Sequence, residues 1–289
     1  MTKPKKMRKT ILLFFFSVVA AFNAFSQDEM RKASEAYQAG EYEIAMTILT
    51  EFLEKGANPE AFKLRGDCLQ KVGDATMALQ DYDKARIYGY REDDLFLNRG
   101  ICKSTIGQLD GAKLDIISYI EKQQEDPKGY YWMAAVEYMN ADNKACSRYV
   151  DMAIALDSSY SDAYYLKGAN LADTGRNLQA MEYFQLSYEM NPNQHRAKLN
   201  VAVMLIDMGQ FRNALEILSE LRLENIDFHG EVLYYRGEAF YLMHDMEGAC
   251  MEWNEAADLG DPDAAVNHRK LCVDKSGKAK IKRRSYGEF

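Results

Sequence analysis

The chain has 289 residues, with 36 basic and 44 acidic side chains, a net charge of −8, four histidines and five cysteines. An acidic balance argues against a nucleic-acid partner, whose phosphates favour clustered Lys and Arg. The histidines, His195, His229, His244 and His268, fall at unrelated places in the sequence, which argues against a histidine-built metal or catalytic centre.

Residues 1–26 read as a segment apart from the fold. Lys3, Lys5, Lys6, Arg8 and Lys9 form a basic start, residues 11–22 are apolar except for Ser17, and Ala24 and Ser26 supply small residues before Gln27. That order of basic, apolar and small residues is a secretory signal peptide, with cleavage before Gln27 and a periplasmic or secreted product. An uncleaved membrane anchor is the alternative, but the apolar stretch falls short of the ~20 residues a helical span needs. No cysteine stands at the cleavage site, which disfavours a lipoprotein.

From residue 27 to residue 263 the chain repeats with a period near 34. One small-residue column is Ala45, Ala78, Ala112, Cys146, Ala180, Ala214 and Ala249, with gaps of 33, 34, 34, 34, 34 and 35. A second lies twelve residues upstream: Ala33, Gly66, Gly100, Ala134, Gly168, Ala202 and Gly237. Between them runs a turn column of Gly40, Gly73, Gly107, Ala141, Gly175, Gly209 and His244. A fixed period of this size predicts an all-α solenoid of stacked helix–turn–helix units. Small residues let helices approach, and glycine past a helix end accepts the left-handed backbone that stops it. Pro59, Pro127, Pro192 and Pro262 all fall at junctions between units, outside the helices they would break. Seven units are expected to start near residues 26, 59, 93, 127, 161, 195 and 230.

These columns resemble the tetratricopeptide repeat (TPR) family. Its pattern of large, small and aromatic residues, a glycine turn, then Ala, aromatic, Ala and Pro is matched by Tyr164, Gly168, Leu171, Gly175, Ala180, Phe184 and Pro192. Leu233, Gly237, Phe240, Ala249, Trp253 and Ala256 match it again. The chain departs from the pattern at Lys103 and Cys146, and it has no tryptophan at the usual first-helix position, where Phe62, Phe96, Tyr130 and Tyr164 stand. The resemblance implies a non-catalytic protein-binding adaptor or scaffold whose first helices line a concave groove. Mapped on that phase, the candidate wall is Leu97, Ile101, Tyr131, Tyr138, Tyr165, Leu199, Val203, Ile206, Tyr234 and Tyr241, preceded by the charged set Glu60, Lys63, Asp67 and Gln70. Tyrosine, with an apolar body and a polar tip, suits a protein or peptide ligand. The same residues also suit a core between neighbouring helices.

Cys68 and Cys102 lie one period apart, so their atoms should be separated by ~8–10 Å, too far for a disulfide. Cys250 and Cys272 each lie eleven residues from Asp261 in the Gly260–Asp261–Pro262 turn, and a helical hairpin folded there brings them face to face. The segment from Ala249 to Trp253, with Cys272 beyond it, resembles the last repeat of exported bacterial TPR proteins, notably of the Bacteroidota. A disulfide staple on a capping helix over residues 264–273 is the structural reading, and a redox or metal site with His268 is the functional one.

Residues 274–289 lose the period and gather Lys275, Lys278, Lys280, Lys282, Arg283 and Arg284, a basic flexible tail. An alternative function follows from it: a structural cell-envelope component that docks on membrane or cell wall through this tail. No glycine-rich phosphate loop, paired-histidine helix or nucleophile elbow occurs, so no enzyme, cofactor or metal is expected. No segment after residue 26 reads as transmembrane.

Overall fold

The turn column is where the chain reverses. In the computed structural model, which describes residues 27–224 and 226–273, Gly40, Gly73, Gly107, Ala141, Gly175, Gly209 and His244 all have positive φ, between 58° and 87°. Six of these turns close with the bond pattern of a left-handed helix stop, in which the next amide donates to a carbonyl five residues back. The pairs are Glu41 to Ala36, Asp74 to Leu69, Gln108 to Lys103, Arg176 to Leu171, Gln210 to Leu205 and Asp245 to Phe240, at 2.8–2.9 Å. Asp74 and Asp245 then serve a second role. Their carboxylates accept the amides of Met77 and Gly248, capping the helix that follows. One residue thus ends one helix and starts the next.

Helices occupy the chain between these turns. Among the described residues they are α1 (27–38), α2 (Tyr42–Glu54), α3 (Pro59–Lys71), α4 (Ala75–Ile87), α5 (Asp94–Thr105), α6 (Leu109–Lys122) and α7 (Pro127–Met139) in a first compact unit. A second unit, beginning at Asp142, holds α8 (Asn143–Leu156), α9 (Ser161–Asp173), α10 (Asn177–Met190), α11 (His195–Asp207), α12 (Phe211–Leu221), α13 (His229–Leu242), α14 (Met246–Asp258) and α15 (Pro262–Asn267). The expected signal segment, residues 1–26, and the basic tail, residues 274–289, lie outside the described residues.

Within each unit the helices pack as antiparallel pairs, and each pair packs on the next. α3 lies on α4 and α5 on α6, with α4 against α5; in the second unit α9 lies on α10, α11 on α12 and α13 on α14. The first helices of successive pairs also touch one another, α3 with α5 and α5 with α7, then α11 with α13 and α13 with α15. They form the inner layer of each unit.

Size matching at the crossings explains the upstream column. A Cβ on Gly66 would stand 2.7 Å from Tyr82, on Gly168 2.8 Å from Phe184, and on Gly237 2.4 Å from Trp253. Where the column has Ala202, the residue sixteen places on is the smaller Leu218. A glycine is present wherever a ring crosses, and also at Gly100, where a methyl group would stand 2.7 Å from Ile116, while Ala202 is accommodated over Leu218. Beside these contacts runs a second set of pairs with the same spacing of sixteen. Arg65 holds Asp81 with two bonds of 2.7 and 2.9 Å, and Arg236 holds Glu252 with two of 3.0 Å. Arg99 and Lys103 share Asp115 at 3.3 and 2.7 Å. At the same phase Val201 is buried and Ile217 packs against the same core, so an apolar pair replaces the ion pair.

The last pair is closed by α15, which continues as a π-helical turn, His268–Cys272. Asp261 caps α15 by accepting the amide of Ala264 at 2.8 Å. Ala264 and Cys272 are buried in one cluster with Leu233, Ala249, Trp253 and Ala256. Cys250 and Cys272 are joined by a disulfide, with Cα atoms 5.6 Å apart, while Cys68, Cys102 and Cys146 are buried and outside any disulfide. An end segment of six helical residues would not persist alone in water. The bond and the shared core hold it over the final hairpin.

Candidate protein-binding surface

The inner layer differs between the two units, and each is described separately. In the first unit its centre is polar. Asp67 on α3 is 8% exposed and accepts from Tyr82 Oη at 2.9 Å and Asn98 Nδ2 at 3.1 Å, and it pairs with Lys63 Nζ at 2.9 Å. Lys63 also reaches Asp94 at 2.5 Å. Burial pushes the Asp67 carboxyl up from its ordinary range, and Lys63 pulls the other way. Burial works against the Lys63 charge, but Asp67 and Asp94 outweigh it and hold the ammonium firmly protonated. The charged set expected from Lys63, Asp67 and Gln70 is thus bonded to itself, with Gln70 accepting from Tyr82 at 3.1 Å. It ties α3 to α5 instead of offering free charges. Of the apolar candidates in this unit, Leu97 is buried, and Ile101, Tyr131 and Tyr138 are half-buried. Tyr131 meets Trp132 edge-on with ring centroids 5.3 Å apart.

The second unit presents tyrosines. Tyr165 and Tyr234 are half-buried and Tyr241 is 39% exposed. Each leans on something fixed. Tyr165 is tilted on Phe184 at 5.5 Å, Tyr241 on Trp253 at 5.6 Å, and Tyr234 meets Tyr235 edge-on at 5.2 Å. Phe184 and Trp253 are themselves buried, so two of these rings have their bodies anchored in the core. Burial, with Glu238 and Asp263 nearby, pushes the Tyr234 hydroxyl up to about 12. It therefore stays a neutral donor at physiological pH. Burial also raises the carboxyl of Glu238, which accepts from Asn267 of α15 at 2.7 Å.

Three of the residues mapped to the groove wall are core residues. Leu97, Leu199 and Ile206 are 7%, 1% and 8% exposed, too covered to touch a ligand. An inner-layer helix also packs on its partner and both neighbours, so a single phase mapping assigns some of its core positions to the open face. Val203 is half-buried and packs against the same core. Phase mapping did not include Tyr235, which is half-buried against the second unit's core beside Tyr234. Tyr234 and Tyr235 are adjacent in sequence, and that doubling is the signal that marks the pair.

No described helix is long and apolar enough to cross a membrane, and among the described residues no cluster of His, Cys, Asp and Glu is set to hold a metal. No family model matches the chain. The BBSome complex member BBS4 homolog of Drosophila melanogaster is 22% identical over 110 residues, which are 38% of this chain and only 23% of that relative's length. Solved structures are similar over more of the chain. A tetratricopeptide repeat protein from Parabacteroides merdae aligns with a TM-score of 0.63 at 14% identity, covering 84% of this chain and 96% of that one. YrrB, described as a TPR protein with an unusual peptide-binding site, aligns at 0.52 with 20% identity, covering 66% and 98%. The APC/C hetero-tetramer Cut9–Hcn1 aligns at 0.68 with 12% identity, covering 83% of this chain and 48% of that one. By its paired helices, its left-handed turns and these neighbours, the chain has the tetratricopeptide-repeat fold.

Proposed function

We propose that this protein is a non-catalytic scaffold, exported to the periplasm or beyond, that holds a segment of a partner protein on the inner layer of its second unit. The observation that carries the reading is the set of anchored, partly open tyrosines, Tyr165, Tyr234 and Tyr241. Rings already fixed against a core lose little conformational freedom on binding, which favours them as contact residues. The likeness to YrrB, whose description names a peptide-binding site, supports a peptide as ligand. Export is supported by the basic, apolar and small-residue order of residues 1–26 and by the disulfide, a bond that persists in oxidising compartments.

A photo-crosslinking amino acid at Tyr241, compared with one at Met251 on the exposed side of α14, tests the reading in envelope fractions. Protein adducts are expected from position 241 and not from 251. Adducts in equal yield from both positions, or reproducible capture of a glycan or small molecule in place of protein, would overturn it.

A further inference from the structure

In the second unit many cations are spoken for. Lys167 holds Asp151 at 2.5 Å, Lys198 holds Glu220 at 2.5 Å, Arg196 holds Glu231, and Arg222 and Arg236 share Glu252 at 3.0 Å. Lys144, Arg148 and Arg176 hold no carboxylate among the described residues, yet all three line one depression of about 580 Å³. It lies between the start of α8 and the turn from α9 to α10. The carboxylate in its wall, Asp151, is neutralised by Lys167. Arg148 lies over the ring of Tyr149 at 4.7 Å, which restrains the plane of its guanidinium.

A second observation comes from Asn170, 4% exposed in the same wall. Its Nδ2 donates to the Asn143 carbonyl at 3.1 Å, but its Oδ1 is buried and accepts from nothing. A buried acceptor without a donor is costly, and a ligand hydroxyl would relieve it. Thr174 does not, since its hydroxyl is turned to the carbonyls of Asn170 and Leu171 at 3.2 and 3.0 Å.

We propose that this depression binds a hydroxylated phosphate ester. The phosphate lies among Lys144, Arg148 and Arg176, and a hydroxyl of the organic part donates to Asn170 Oδ1 beside Leu171. Three uncompensated cations suit a dianion better than a single carboxylate, and the arginine fork matches phosphate oxygens in pairs. The site is separate from the tyrosine face and does not depend on it.

Calorimetric titration at low salt with glucose 6-phosphate tests the assignment, with glucose and inorganic phosphate as comparators. Glucose 6-phosphate is expected to bind the wild type, to bind more tightly than inorganic phosphate, and to weaken at least about tenfold in the Arg148→Gln/Arg176→Gln double variant. Both arginines are exposed, so the variant should fold, which circular dichroism checks. Arg212→Gln, an exposed cation elsewhere in the unit, should leave affinity within about twofold. The proposal is overturned by absence of binding at millimolar ester, by equal binding of glucose, or by equal weakening in Arg212→Gln. Inorganic phosphate binding as tightly as the ester would overturn the role of Asn170.

Discussion

Gly237 and Trp253 cross so closely that a methyl group on Gly237 would stand 2.4 Å from the indole Cδ1 and 2.5 Å from Nε1. Trp253 is fully buried, with Leu233, Ala249 and Ala256 in its cluster, so the ring cannot swing into solvent to make room. Gly237→Ala should therefore destabilise the second unit by about 1–3 kcal/mol, the usual cost of overpacking a filled core. Chemical denaturation followed by far-ultraviolet circular dichroism measures it, a signal that does not depend on either tryptophan. In a Trp253→Leu background the same change should cost much less, reproducing the natural pairing of Ala202 with Leu218. Additive effects of the two changes would show that the crossing is not what excludes the methyl group.

His244 occupies a hairpin turn at φ 65°, where five of the other turns have glycine. A side chain in the left-handed region costs roughly 1–2 kcal/mol, against about 0.5–1 kcal/mol for the extra freedom of glycine in the unfolded chain. His244→Gly should thus stabilise by a few tenths to 1 kcal/mol. A lower denaturation midpoint in the variant would mean that the imidazole makes a compensating contact.

The Cys250–Cys272 bond closes a loop with a sequence separation of 22 over the end of the last hairpin. Chain entropy alone makes such a closure worth about 3 kcal/mol. Reduction, or Cys272→Ser, should fray α14, α15 and the π-helical turn first. Trp253 in a Trp132→Phe background reports this region alone, since the chain has two tryptophans. Hydrogen exchange should accelerate there while α3 to α6 keep their protection. Titration of the unfolded, unreduced protein should find three thiols, those of Cys68, Cys102 and Cys146, and a count of five would disprove the bond.

Glu238 offers a pH test. Burial raises its folded carboxyl above the unfolded value, despite the bond from Asn267 that lowers it. The folded state therefore holds this proton more tightly than the unfolded one. The resulting stabilisation is present at low pH and is lost as pH rises from the unfolded value of 4.5 through the raised folded one. Glu238→Gln, which keeps an acceptor for Asn267, should match the wild type in melting temperature near pH 4 and exceed it at pH 7. A difference that stays constant across that range would remove the ionisation as its cause.

The repeating hairpin is legible in the amino-acid sequence, because its signals are local and recur. A left-handed turn needs glycine or a tolerant substitute, and the turn column shows one at every period, with φ 58–87° even at Ala141 and His244. The facing of Cys250 and Cys272 is equally local, since a hairpin at Asp261 returns the chain over a known number of residues. Which side chains of the inner layer are open becomes visible once the helices are stacked. Leu199 and Tyr241 are both groove-phase residues by periodicity, yet one is 1% and the other 39% exposed. Burial of an inner-layer residue depends on neighbours a whole period away, and helical phase does not encode how far each of them covers it. Charge followed the same rule. Composition shows an excess of acid, but it cannot say that Lys63 is taken by Asp67 and Asp94 while Arg148 and Arg176, beside Asn170, hold no carboxylate among the described residues. Pairing depends on which helices the stack brings side by side, and only the folded chain shows that.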